Sequence, residues 1–380
     1  MDMYKTVEYW KRQIPYFFIF ILGIVTVIAK YKYHGLIFGF DYGLYQPDGK
    51  YYTHMALDLI NQNTNESAQQ VVNWYKSNSF KGNIFPASDL IPENNLTYSH
   101  ISHRILYPLL SVPFVLMFGI PGMIVVPALS FLFLLYVVLK ISSRYSVTYI
   151  GVIICFVFSI SPTVTRWMIV NTTDALLVGL FSYTAFLLNN SKFNSRLINF
   201  QIFILIILTA MTRFSAVFWV AIAFVLFINR KRLLAIGIFF FALACAIPAI
   251  NATLSVSLLP NSQDKSTIEK ILNLPASFVK VLFTDIAQLA VLDRALLAFL
   301  SLGVLMAVMR FKDIVNQYFI AILVAGYILG AINGTLGVNF RYQLPVISFC
   351  AWVIISSISL RINKLGLISF LRPHIKTQET

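Results

Sequence analysis

The chain has 380 residues, of which 58% are hydrophobic and only 12% are charged, and its net charge is +14. This composition excludes an ordinary soluble domain, and the scatter of the basic residues over many short segments argues against a nucleic-acid-binding patch. Repeated apolar runs of roughly 15 to 20 residues predict an all-α polytopic membrane protein.

The first apolar run, 14–30, follows the basic residues Lys5, Lys11 and Arg12. No small-residue cleavage site follows this run, so we expect a retained membrane anchor and not a signal peptide. Together with the later runs it predicts about ten crossings in a single transmembrane domain, 1–380. The later runs are 121–139, 147–161, 171–188, 198–212, 214–228, 233–250, 293–309, 318–332 and 342–360.

The orientation follows from the distribution of charge between alternate loops. With a cytoplasmic N-terminus, the cytoplasmic segments hold 16 Lys/Arg and 4 Asp/Glu, whereas the rest of the chain holds 13 and 11. Cytoplasmic loops of membrane proteins carry such an excess of basic residues. A composition rich in Phe, Ile, Asn and Lys is typical of an AT-rich bacterial genome. We therefore expect a multi-pass protein of the bacterial inner (cytoplasmic) membrane, with both termini in the cytoplasm.

Two long segments are predicted on the periplasmic side, a first loop at 31–104 and a second loop at 251–292. Parts of these loops have an apolar stripe and aromatic residues, a pattern that favours juxtamembrane helices at the headgroup level. The predicted interface helices are 51–62, 67–78 and 268–283.

The segment 105–118 is apolar but short, and it contains Pro108 and Pro113. A full crossing there would move Lys140 and Arg144 to the outer side and break the charge pattern downstream. We predict a helix that lies on or dips into the outer leaflet, with an eleventh crossing as the alternative.

The first periplasmic loop opens with two carboxylates, Asp41 and Asp48, among tyrosines and turn residues. The Pro-Asp-Gly at 47–49 predicts a turn, and the residues from 50 to 60 predict a helix that starts from it. Asp48 then lies at the helix N-cap, with Tyr52 and Ala56 at four-residue spacing on one face. The simplest interpretation of Asp48 is therefore a helix cap, and the alternative is a functional acid.

Ionisable and amide side chains at the predicted outer boundary all fall on one side of the membrane. Such residues are costly at membrane depth and are functional candidates by default. Their convergence on one face favours a site. The set is Asp41, Asp48, His100, His103, Arg104, Arg166, Asn171, Asp174, Arg213, Asn339 and Arg341.

Carboxylates and arginines at a membrane boundary suit transfer of a sugar from a polyprenyl-phosphate donor, because the lipid tail must stay in the bilayer. The leaving phosphate is a stable anion and needs cations, for which Arg104, Arg213 and Arg341 are candidates. The acceptor hydroxyl is a poor nucleophile and benefits from a carboxylate base, either Asp48 or Asp41. Direct attack by the acceptor would invert the anomeric carbon.

The chain resembles the GT-C superfamily of integral-membrane glycosyltransferases, which includes protein O-mannosyltransferases and lipid A aminoarabinose transferases. Short motifs along most of the chain carry this resemblance. They are the Asp-x-x-x-Tyr-x-x-x-Ala pattern of Asp48, Tyr52 and Ala56, the stretch from His103-Arg104 to Leu110, the pairs Ser161-Pro162 and Thr173-Asp174, the segment from Ala210 through Arg213 to Phe214, and the stretch from Asn339 through Arg341-Tyr342 to Pro345.

The resemblance implies a polyprenyl-phosphate-sugar donor, periplasmic catalysis, and a cell-surface glycan or lipid as the acceptor. It adds Tyr52, His103, Asp174 and Tyr342 to the substrate-binding residues. Many relatives have Asp-Glu where this chain has Asp48-Gly49. Asp41 is therefore a second candidate for the base.

Some members of the superfamily use a divalent ion near the loop acid, and Asp41 and Asp48 are the candidate ligands for Mg²⁺ or Mn²⁺. Two other functions remain open, a transporter or flippase of lipid-linked sugars and a polysaccharide polymerase. A transporter typically shows two similar halves and charges near mid-bilayer, whereas here the charges gather on one face.

Overall fold

The computed structural model describes residues 3–38, 48–77, 85–91, 95, 98, 101–190, 195–213, 215–257, 272–333 and 340–364. The regular structure within these ranges is helical. In chain order the α-helices are α1 Met3–Phe38, α2 Gly49–Asn61, α3 Thr64–Ser77, α4 Leu106–Phe118, α5 Val125–Arg144, α6 Thr148–Ile160, α7 Pro162–Met168, α8 Asp174–Leu188, α9 Arg196–Ala210, α10 Ala216–Ile228, α11 Arg232–Ser257, α12 Leu274–Leu292, α13 Arg294–Met309, α14 Ile314–Asn333 and α15 Val346–Lys364.

The chain is an all-α, multi-pass membrane protein. Among the described residues, five helices are long and apolar enough to cross a bilayer, and the bent pair α6 and α7 makes a possible sixth span. Shorter apolar helices coincide with the other predicted crossings. The five long spans are Gln13–Lys32, Ile120–Arg144, Leu274–Leu292, Ile314–Ile332 and Val346–Asn363.

Helix α12 differs from the sequence prediction. An interface helix was expected over 268–283, but the helix runs over Leu274–Leu292, and its length and composition suffice for a crossing. It extends to Leu292 because the helix break falls at Asp293, whose Oδ1 accepts a hydrogen bond from the Leu296 N–H and caps α13. The residues 268–271 lie outside the part of the chain that the structure describes.

The helices of the first loop agree with prediction, since α2 and α3 occupy the two segments assigned to juxtamembrane helices. Helix α4 has 13 residues, and so reaches about 20 Å, less than the roughly 30 Å of a hydrocarbon core. The Tyr107 hydroxyl, near the start of α4, donates to the Met123 carbonyl just before α5. The start of α4 and the start of α5 therefore lie on the same side, as expected for a helix that dips into one leaflet.

The turns between helices gather at two opposite ends of the bundle. At one end, Tyr145 donates to the Asn189 side chain and its carbonyl accepts from Ser359. The turns at this end are rich in arginine and lysine, and we call it the basic end. At the other end, the Leu106 N–H donates to the Met211 carbonyl. This second end holds those predicted site residues that the structure describes, and we call it the site end.

Candidate functional site

Asp48 directly precedes α2, as predicted, but its side chain does not cap that helix. It has helical backbone angles and makes no side-chain cap hydrogen bond. Its Oδ2 instead accepts a hydrogen bond from Nη2 of Arg341 at 3.1 Å. The interpretation of Asp48 as a mere helix cap is therefore wrong, and the carboxylate takes part in a long-range ion pair.

Arg341 joins two carboxylates. Its Nε donates to Oδ2 of Asp174 at 2.9 Å while its Nη2 reaches Asp48. Asp174 also binds Nη1 of Arg213 through Oδ1. The result is a linear ionic chain, Arg213–Asp174–Arg341–Asp48, which ties four elements together at the site end.

Burial is graded along this ionic chain. The Asp174 side chain is 1% exposed and that of Arg341 is 12% exposed, whereas Asp48 keeps 31%. Burial alone would lower the pKa of Arg341, but the Asp174 and Asp48 carboxylates raise it well above its ordinary value. Arg341 therefore stays charged. Asp48 has the most exposed side chain of the four residues in the ionic chain, and a ligand can reach it from solvent.

Each of the two arginines of the ionic chain lies over the face of an aromatic ring. The Arg213 guanidinium carbon lies 4.2 Å from the ring centre of Tyr342, and that of Arg341 lies 4.6 Å from Trp167. A guanidinium over an aromatic face is attracted by the ring and fixed in orientation. Tyr342 thus meets the site through Arg213, and Trp167 is a site residue that the sequence analysis missed.

Of the three arginines predicted to bind a phosphate, Arg104, Arg213 and Arg341, Arg104 is the one with no described acid partner. Its Nη1 donates to the Tyr52 hydroxyl at 3.2 Å, and that hydroxyl lies 3.4 Å from Oγ1 of Thr173. Its buried Nε has no hydrogen-bond partner among the described residues, and no described carboxylate lies within ion-pair distance. A guanidinium in this state suits an incoming anion. His103 lies in the same turn, directly before Arg104.

Two more buried cations lie at the site end. Lys30, near the end of the span of α1, is 1% exposed, and Arg166 in α7 is 8% exposed. The two cations are close enough to repel each other, and Arg166 shares the ring of Trp167 with Arg341. Lys30 and Arg166 therefore add two buried basic side chains to the described part of the site end.

Asp41, His100 and Asn339 lie outside the described residues, so the choice between Asp41 and Asp48 as the base stays open. Within the described ranges, no three His, Cys, Asp or Glu side chains converge to form a metal site. Asp48 alone would offer oxygen ligands next to Arg341 and near Arg104, and hard divalent ions need several oxygens. This described part of the site suits an anion better than a cation, and a Mg²⁺ or Mn²⁺ site on Asp41 and Asp48 stays a prediction.

A second acid supports the turn that carries Arg341. Phe340, the preceding residue, has φ +62, a conformation that non-glycine residues rarely adopt. Its N–H donates to Oδ1 of Asp285 at 3.4 Å, and Asp285 is 3% exposed within α12. The sequence analysis did not single out Asp285, although a lone acid within an apolar helix was an available signal.

Gly49, the residue after Asp48, lies where the structure leaves no room for a side chain. A Cβ at Gly49 would overlap the side-chain amide of Asn171. Asn171 is fully buried in the turn that precedes α8. The start of α2 and the turn before Asp174 can approach this closely only because residue 49 has no side chain.

We expect Gly49→Ala to lower the free energy of unfolding by about 1–3 kcal/mol, the usual cost of overpacking a filled site. Asn171→Ala combined with Gly49→Ala should be less destabilised than the sum of the two single variants. Gly237→Ala is the matched control, because a Cβ there makes only an ordinary contact of 3.4 Å with Phe203. Denaturant unfolding of the purified protein in detergent measures all four variants. Additive effects of the two substitutions would contradict the predicted contact.

An apolar groove of about 690 Å³ runs between α4, α5, α8 and α9. Leu110, Leu176 and Leu208 line it at the site end, and Leu176 lies two residues beyond Asp174. Tyr183 and Gln201 line its deeper part. The groove therefore begins at the level of the site end and runs toward the middle of the bundle, and its lining contains none of the described arginines and carboxylates of the site.

The arrangement of side chains thus combines a partly exposed acid, an arginine without an acid partner and a groove open to lipid. Comparisons with protein-family models, with curated proteins and with solved structures give no match to this chain.

Proposed function

We propose that this chain is a membrane glycosyltransferase of the GT-C type. It takes a sugar from a polyprenyl-phosphate-linked donor and transfers it to a cell-surface glycan or lipid on the periplasmic face of the bacterial inner membrane. The observation that carries the proposal is the ion pair of Asp48 with Arg341 beside Arg104, at the end of the bundle where an apolar groove begins.

The donor fits this site through its two unlike parts. Its polyprenyl tail lies in the groove between α4 and α9, which is lined mostly by apolar side chains. Its phosphate lies against Arg104, since that guanidinium has only the Tyr52 hydroxyl as a partner among the described side chains. Arginine binds phosphate well because its planar fork matches two phosphate oxygens.

Arg341 connects donor binding to the acid. Asp174 holds Arg341 through Nε and also lies 2.9 Å from its Nη2, so Arg341 keeps Asp174 as an anchor when a bound phosphate replaces Asp48 at Nη2. Asp48, once relieved of this ion pair, has a carboxylate oxygen free to accept a hydrogen bond from the acceptor hydroxyl. Donor binding therefore prepares Asp48 for its role.

The transfer step then needs no covalent enzyme intermediate. The acceptor oxygen attacks the anomeric carbon while the bond from that carbon to the phosphate oxygen breaks. The bonding electrons leave with the polyprenyl phosphate, and the acceptor proton moves to Asp48. The attacking and leaving groups lie on opposite faces of the sugar, so the anomeric carbon is inverted.

The orientation is tested by labelling cysteines in intact cells with a membrane-impermeant maleimide. We expect Gln69→Cys, on the exposed face of α3, to react, and Lys312→Cys, at the basic end, to react only after permeabilisation. The unmodified protein is the background control, because its described cysteines are buried or half-buried. Labelling with the opposite pattern would overturn the periplasmic placement of the site.

The function is tested by mass spectrometry of lipids and surface glycans from cells that lack the chain. We expect one sugar to be missing from a surface glycan or lipid and a polyprenyl-phosphate sugar to accumulate. If the chain were a flippase, its loss would leave the lipid-linked cargo on the cytoplasmic face. If it were a polymerase, its loss would leave single repeat units on the surface. Unchanged lipids and glycans would contradict the proposal.

A further inference from the structure

Helices α1 and α5 form a second groove, at the basic end and remote from the charged site. The two helices touch at Gly23, where a Cβ would overlap the Leu132 side chain. On the basic-end side of that contact they enclose a groove of about 630 Å³. Its walls are mostly aliphatic and aromatic, and Phe17 and Phe20 are 68% and 53% exposed. The groove is therefore accessible from the hydrocarbon of the bilayer.

The mouth of this groove is cationic and aromatic. The Lys140 Nζ lies 5.0 Å from the ring centre of Tyr16 and 5.4 Å from that of Tyr136. The Tyr16 hydroxyl is 2.8 Å from Oγ of Ser143, which holds the ring in place. None of the described carboxylates forms an ion pair with Lys140. The two rings orient the ammonium group, but they do not neutralise it.

The surroundings of Lys140 carry the same sign of charge. Described turns at the basic end contribute more cations and only Asp313 as an acid, which pairs with Arg310 at 2.6 Å. The cations are Arg144, Arg196, Arg230, Lys231, Arg232, Arg310, Lys312 and Arg361. A membrane boundary of this charge attracts anionic headgroups.

We propose that the groove between α1 and α5 binds an anionic glycerophospholipid. An acyl chain lies along the apolar walls, the phosphate meets Lys140, and the tyrosines lie at headgroup level, where aromatic residues are favoured. The site is distinct from the donor site, because Lys140 and Met123 lie at opposite ends of one membrane-spanning segment, roughly 25 Å apart along its axis. The bound lipid fills the gap between α1 and α5.

Native mass spectrometry of the purified full-length protein, titrated with dioleoylphosphatidylglycerol, tests the site. We expect one molecule to bind more tightly than dioleoylphosphatidylcholine does, and Lys140→Gln to weaken its binding about fivefold. Lys140→Arg should retain the affinity. Lys312→Gln is the matched control, because it removes an exposed lysine at the same end but outside the groove.

Phe17→Ala provides a second test that leaves the charge in place. It removes an exposed wall of the groove and should weaken phosphatidylglycerol binding without changing the unfolding temperature of the lipid-free protein. Equal affinity of the unmodified protein and Lys140→Gln, or equal affinity for the two lipids, would overturn the proposal. Displacement of the lipid by millimolar inorganic phosphate would also overturn it, because the site would then recognise a free anion.

Discussion

Asp48→Asn should reduce sugar transfer by about 10²–10⁴-fold, the usual contribution of a general base. Asparagine has nearly the same shape and can still accept the hydrogen bond from Arg341, so insertion and folding should be unchanged. It cannot take the proton from the acceptor. The rate is measured as release of polyprenyl phosphate from the donor identified in the lipid analysis, and folding by the unfolding temperature.

Asp89→Asn is the control for this substitution. Asp89 lies near the same face, with its carboxylate 4.0 Å from Lys50, and its side chain is 39% exposed. Among the described residues Asp89 forms an ion pair with Lys50 and none with the ionic chain, so we expect transfer to be unaffected. Asp41→Asn, measured in parallel, decides which of the two loop acids acts as the base. Full activity of Asp48→Asn would remove Asp48 from the chemistry.

Asp174→Ala should have the largest effect on stability, a loss of about 3–5 kcal/mol in the free energy of unfolding. Asp174 is the carboxylate shared by Arg213 and Arg341. Its removal leaves the buried Arg213 without an acid and frees Arg341 from one of its two anchors. An uncompensated buried charge costs much more than an ion pair contributes at a surface.

The contrast with a surface pair makes this prediction specific. Asp313→Ala breaks the pair of Arg310 and Asp313, whose side chains are 35% and 44% exposed. We expect that variant to lose less than about 1 kcal/mol, since exposed pairs contribute little. Denaturant unfolding in detergent compares the two variants. Equal, small losses would mean that Asp174 is not the central counter-ion of the site.

The predicted crossings each coincide with a helix because membrane helices must satisfy their backbone hydrogen bonds internally and face lipid with apolar side chains. These constraints are local and visible in the sequence. The start of a crossing at 293 was predicted, and Asp293 indeed ends α12 and caps α13. The extent of α12 was wrong, because the apolar stripe predicted a helix only to 283 and the helix continues to Leu292.

The sequence predicted a set of site residues, and the structure brings Asp48, Asp174, Arg213 and Arg341 into contact, but the sequence did not indicate how they pair. Asp48 and Arg341 are separated by 293 positions in the chain, so no spacing rule relates them. The cap interpretation of Asp48 failed because a long-range guanidinium competes successfully for its carboxylate. Asp174 was predicted to bind substrate, and that role stays a prediction. Its position between two arginines indicates a supporting role through them.

The sequence analysis noted Gly49 only as a difference from the Asp-Glu motif of the family that the chain resembles. In the structure, a side chain at residue 49 would overlap Asn171. Such close contacts depend on tertiary packing and cannot be recognised in a single sequence. The same holds for Asp285, which contacts the backbone of Phe340. Residues that position a site through backbone contacts are harder to recognise in a single sequence than ionisable residues at a membrane boundary.

The central claim is that the site end binds a lipid phosphate through its arginines, and binding of polyprenyl phosphate to the purified protein tests it without knowledge of the sugar. We expect polyprenyl phosphate to bind at least tenfold more tightly than the uncharged polyprenol of the same length, and Arg104→Gln to abolish that difference. Arg196→Gln, at the opposite end, should leave it intact. Equal binding of the two lipids by the unmodified protein, or an unchanged preference in Arg104→Gln, would contradict the account.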